Sequence, residues 1–145
     1  MVAGGLTILT VGMTSVFVPQ DLMFIGMTAR ELHAVNPRLV PLIAHDRAGF
    51  GGGTVACGLT IWSVVWCGTP SRSLWQALCL AGIAGFGTAI GVHFVVGYMD
   101  LTHLAPAALG AVLFSIGLAL CLGPMTKGRN SRRGPERSRE VLQQA

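Results

Sequence analysis

Apolar residues run along this chain in four long stretches separated by short polar clusters, and none of the stretches alternates with period two. That pattern predicts helices rather than strands. The first stretch, Val2–Val18, stops at Pro19-Gln20-Asp21. At 1.5 Å per residue it is about 25 Å long, near the lower limit for crossing a hydrocarbon core of roughly 30 Å. The second, 48–66, has Asp46 placed as its N-cap and Trp62 and Trp66 toward its far end. The third, 74–99, is the longest, with Trp75 at its start and Tyr98 at its end, where aromatic rings favour the headgroup level. The fourth, 104–122, carries Pro106 in its first turn, where the missing N–H is harmless, and stops at Gly123-Pro124. Tight turns at 68–73 and 100–103 join the last three. The predicted fold is an all-α integral membrane protein, a four-transmembrane-helix bundle.

The segment between the first two stretches is too polar and too interrupted to cross. Leu22–Met27 is a short apolar piece that either extends the first helix or lies at the interface. Thr28-Ala29-Arg30-Glu31 then fits a capping box, with Met27 and Leu32 spaced as a hydrophobic staple, and predicts a short helix over Ala29–Val35. Asn36-Pro37 ends it and opens a second short piece, which Pro41 limits. Together, 28–45 reads as a short amphipathic outward segment on the membrane surface. A cleaved signal peptide is the alternative for the first stretch. It would need basic residues ahead of the apolar run, yet the first basic residue is Arg30 and no A-x-A site follows, so a retained helix is predicted.

Composition supports the membrane reading. Of 145 residues, 52% are hydrophobic and 11% charged, against about 25% charged in a soluble domain. The 20 glycines suit helices that pack closely in a bilayer. Ala107, Ala111, Ser115 and Ala119 form a small-residue ridge, and Gly87/Gly91 and Gly49/Gly53 form GxxxG pairs, all predicted as helix contacts. Cys57, Cys67, Cys79 and Cys121 form no CxxC pair and read as small buried apolar residues. Residues 1–125 form the transmembrane domain. The net charge of +4 concentrates at the C-terminus, where Lys127, Arg129, Arg132, Arg133, Arg137 and Arg139 mark 126–145 as a basic, disordered tail. Counting Lys and Arg puts that tail, Arg72 and the N-terminus on the cytoplasmic side of the plasma membrane. Residues 19–47 and 100–103 then face outward.

Chemistry is confined to a few polar residues. All four histidines, His33, His45, His93 and His103, fall in the outward half. His93 lies in the third stretch, where an ionisable group is expected to face the bundle interior. Were three stretches to pack together, His45, Asp46, Arg47, His93, Asp100 and His103 would form an outward polar cluster. No HExxH motif or adjacent His pair is present, so no metal site or cofactor is predicted. Arg47 before Ala48-Gly49-Phe50-Gly51-Gly52-Gly53 suggests contact with a lipid phosphate or other anion, but no Gly-Lys-Ser/Thr makes it a P-loop. The tail lacks the aromatic residues of a nucleic-acid binder. Its partners are therefore the bilayer and either further copies or a larger membrane complex. The expected function is that of a small non-enzymatic or accessory membrane component. The alternatives are a membrane enzyme or metal- or proton-handling protein using the outward cluster, and an oligomeric transporter or channel component.

Overall fold

A computed structural model describes residues 1–127, and every regular element among them is helical. Six helices follow one another: α1 (Val2–Met13), α2 (Pro19–Ile25), α3 (Ala29–Val35), α4 (Leu39–Cys67), α5 (Arg72–Val96) and α6 (Leu101–Lys127). Three of them, α4, α5 and α6, are long and apolar enough to cross a membrane. The expected disordered tail lies outside the described residues beyond Lys127.

The first apolar stretch divides. Helix α1 ends after 12 residues, about 18 Å, instead of running to Val18. The Arg47 side chain caps the break by donating to the Val16 carbonyl at 2.8 Å. Pro19 starts α2 at its first position, where the ring is preorganised for a helix. Asp21, in the first turn, accepts from the Val18 N–H at 2.9 Å. Gly26, in the left-handed region at φ 70, closes α2. Helix α3 starts where the capping box places it. Thr28 Oγ1 accepts from the Glu31 N–H at 3.2 Å, and the Glu31 carboxylate accepts from the Thr28 N–H at 2.7 Å.

Three predicted boundaries move. Helix α4 begins at Leu39 rather than 48, because Pro41 falls in its first turn and needs no donor there. Asp46 is consequently not an N-cap; it lies inside the helix on an exposed face. Helix α5 starts at Arg72, since Ser71 supplies the cap by accepting from the Leu74 N–H at 3.1 Å. It ends at Gly97, φ 73. Helix α6 starts earlier than expected, because the Asp100 carboxylate accepts from the His103 N–H at 2.8 Å. It also continues through Pro124 to Lys127.

Packing is pairwise. Helices α1 and α4 run antiparallel, with Gly5 beside Val55 and Gly51, Gly12 beside Ala48, and Gly58 beside Val2. A Cβ on Gly5 or Gly12 would stand 2.7 Å from the backbone nitrogen of Val55 or Ala48, so only glycine permits this approach. Gly51 is still tighter against the Leu9 backbone. The seam uses Gly5/Gly12 and Gly51/Gly58, seven residues apart on each helix. The predicted Gly49/Gly53 pair faces open space.

Helices α5 and α6 pair through aromatics. Phe86 and Phe114 pack at 5.6 Å between centroids, each lying over a glycine of the other helix, Gly110 and Gly82. Trp75 donates its indole N–H to the Leu118 carbonyl at 2.9 Å. Between the two helices lies an apolar cleft of about 540 Å³, lined in part by Gly87, Gly91, Ala111 and Ser115. A Cβ on Gly87 or Gly91 would meet nothing within 4 Å, so neither makes the close helix contact expected. Helix α3 rests on α4, and α4 does not pack along α5 or α6. Cys57 and Cys67 are exposed, not buried as predicted, and all four cysteines are free thiols.

Candidate functional site

Helix α2 is only seven residues long, yet it carries the most buried charge among the described residues. Asp21 is 5% exposed. Its Oδ2 accepts from Arg47 Nη1 at 2.7 Å and from the Val18 N–H, while Oδ1 accepts from the Tyr98 hydroxyl at 3.0 Å. Helix α4 supplies Arg47, and the turn between α5 and α6 supplies Tyr98, so one carboxylate ties three parts of the chain. Two further contacts accompany it. Gln20 Nε2 donates to Thr102 Oγ1 at 3.2 Å, and Phe24 stacks on Tyr98 with centroids 4.7 Å apart.

Electrostatics follow from this geometry. Burial raises the Asp21 pKa. Hydrogen bonds from Arg47, Val18 and Tyr98, together with the Arg47 charge, outweigh burial and hold the carboxyl below its ordinary value. For Tyr98, burial and then the adjacent Asp21 carboxylate push the phenol up to about 12. Asp21 is thus an anion and Tyr98 a neutral donor across the physiological range.

Two imidazoles also lie close to the phenol. His103 lies 4.7 Å and His93 5.9 Å from Tyr98, and the two imidazoles are 5.4 Å apart, all between ring centroids. Nδ1 of His93 is buried without a hydrogen-bond partner. Leaving such a group unpaired costs about 1–3 kcal/mol, which makes it the least satisfied polar atom at this end of the molecule.

Of the residues singled out by sequence, the structure brings Arg47, His93 and His103 around Tyr98. Asp100 lies beside them but turns its carboxylate to the start of α6, accepting from Thr102 Oγ1 at 2.6 Å as well as from the His103 N–H. Those bonds lower its pKa, the Thr102 hydroxyl contributing most. His45 and Asp46 lie apart from the cluster: they pair with each other at 3.2 Å, with side chains 84% and 71% exposed. Arg47, considered for a lipid phosphate or another anion, spends its charge on Asp21. His33 is exposed on α3. Among the described residues no group of three or more His, Cys, Asp or Glu side chains is arranged to hold a metal.

Asp21 and Tyr98 are the members that sequence reasoning did not assign to the cluster. Asp21 reads as part of a helix stop and Tyr98 as an interfacial anchor. The available signal for Asp21 was an acid at the third position of a helix that starts with proline, followed by apolar Leu22–Ile25. The chain matches no protein-family model, no curated protein and no solved structure.

Proposed function

We propose that this chain is a non-enzymatic, multi-pass membrane component that acts through its helix faces, as an accessory to other membrane-embedded chains. In this reading α4, α5 and α6 cross the bilayer and α1 is a fourth embedded helix paired with α4. Residues 19–38 and the α5–α6 turn cap the outer end, with α3 along the surface. The N-terminus and the 68–71 loop point to the cytoplasm of a cell bounded by this plasma membrane.

The observation that carries this reading is that the buried ion pair is directed inward, to other parts of the same chain. A carboxylate that works as acid or base needs a free oxygen lone pair toward its substrate. Asp21 turns three of its about four acceptor sites to Val18, Arg47 and Tyr98, and Arg47 Nη1 donates to both Asp21 and the Val16 carbonyl. The pair therefore builds the fold. By contrast, large apolar side chains along the long helices stand open, including Val95 (87% exposed), Leu120 and Ile83.

Photo-cross-linking in the native membrane tests the proposal. A photoreactive residue at Val95 or Leu113 should give a discrete protein adduct, unchanged by His93→Ala or His103→Ala. Adducts with lipid alone at every exposed face would overturn it. A second reading rests on the unpaired His93 Nδ1 beside His103: the cluster handles a proton or a metal. Retained zinc or a histidine-dependent proton flux in vesicles would favour that reading.

A further inference from the structure

We propose that α2 is a releasable strap that closes the polar end of the molecule, holding the α1–α4 pair against the α5–α6 pair. Three observations converge on it. The first is the direct packing within each pair. Glycines lock α1 to α4 at backbone contact distance, while Phe86, Phe114 and the Trp75–Leu118 bond lock α5 to α6. The second is the weakness of the seam between the pairs, since α4 does not pack along α5 or α6. The polar side-chain ties that join them at this end all pass through α2: Arg47 to Asp21, Tyr98 to Asp21, and Gln20 to Thr102. At the other end the pairs are joined by the short connection Gly68–Ser71, the place for a hinge.

The third observation is strain in the arm of the strap. Val16 has φ 64, the only non-glycine residue at positive φ among those described. Around it the Phe17 N–H donates to the Ser15 carbonyl at 2.8 Å. A bond from residue i+2 to residue i across positive φ is the rare, strained form of γ-turn, and a β-branched residue suits it least. The turn is held in place by the Arg47 bond to the Val16 carbonyl and by burial of Phe17, which is 7% exposed. Strain that persists only because surrounding contacts enforce it is released when those contacts break. The closed strap therefore carries a built-in bias toward opening. Release would also lift Phe24 and the Asp21 bond from Tyr98, the ring that His93 and His103 pack against. This inference stands whether or not the chain proves to be an accessory component.

Paired spin labels on full-length protein in lipid nanodiscs test it, with the four native cysteines replaced. One pair, at His45 and Ala105, spans the strapped end; the other, at Ser63 and Leu122, spans the hinge end. Tyr98→Phe keeps the Asp21–Arg47 pair and removes only the tie to the α5–α6 turn. Expected is a longer, broader distance distribution for the strapped-end pair, a shift on the order of 5 Å, with the hinge-end pair unchanged. Adding Val16→Gly, which relieves the turn, should return the distribution toward the closed one. An unchanged strapped-end distance in Tyr98→Phe overturns the strap. So do equal widening at both ends and failure of Val16→Gly to restore closure.

Discussion

Asp21 accepts hydrogen bonds from three separate parts of the chain, so removing its charge leaves Arg47 without a counter-ion. Breaking a buried pair from one side is more damaging than deleting both partners. Asp21→Asn should lower stability by about 3 kcal/mol, and Tyr98→Phe, which removes one neutral donor to the carboxylate, by about 1.5 kcal/mol. Thermal unfolding in nanodiscs measures both, and equal, negligible losses would show that the cluster contributes nothing. A pH dependence follows from the same bonds. Asp21 has a folded pKa below its ordinary 3.8, so its contribution is present above that value and lost as pH falls through the lower folded one. Tyr98 has its pKa raised from 10.0 to about 12, so its contribution is complete below 10.0 and lost as pH rises through about 12. The stability difference between wild type and Tyr98→Phe should therefore be flat from about pH 4 to about pH 10 and shrink on both sides. At the start of α3, Thr28→Ala removes the acceptor of the Glu31 N–H. It should weaken that short helix by about 1 kcal/mol, read as faster exchange of the Glu31 amide.

Glycines that look alike in sequence have opposite roles in their helices. Gly51 meets the Leu9 backbone, whereas a Cβ on Gly91 meets nothing within 4 Å and points into the α5–α6 cleft. Gly51→Leu should drive α1 off α4 and abolish cooperative unfolding, while Gly91→Leu should fit the cleft and change stability by under about 0.5 kcal/mol. The reverse order would mean that α1–α4 is not the tight pair. The helices themselves were legible because long apolar runs leave the backbone no other way to satisfy its hydrogen bonds in lipid. Their ends were less so. Pro41 and Pro124 look like stops, yet a first-turn proline needs no donor, and α6 carries Pro124 within its last turn. The isolated capping box at Thr28 was readable because its chemistry is local. Arg47, His93 and His103 stood out as ionisable residues beside or within apolar runs. The partnership of Asp21 with Arg47 and Tyr98 spans 26 and 77 residues, and no local spacing encodes it.

For the molecule as a whole, the antiparallel seam and the distribution of charge bear on the proposed topology. Val2 sits beside Gly58, nine residues before the end of α4 at Cys67, so α1 stops about 13 Å short of that end. On the polar-capped side, Arg47 is neutralised by Asp21, which leaves Arg30 and Arg38 there. The opposite side holds Arg72 and the end of α6. In that proposed topology, the positive-inside rule is the reason for placing the 68–71 loop in the cytoplasm and α3 outside. Single cysteines in a cysteine-free background test each part with an impermeant maleimide on intact cells. A probe at His33, exposed on α3, should react from outside. One at Thr69 should react only after permeabilisation, and the opposite pattern would reverse the orientation. Position Ala3 is the most informative, because it is exposed on α1 next to Val2, which lies beside Gly58 well inside α4. A thiol there should resist labelling from both sides, since thiolate formation needs water. Ready reaction after permeabilisation would instead place the start of α1 at the cytoplasmic surface, making it a complete fourth crossing that slides deeper along α4 than the Gly5–Gly51 register allows.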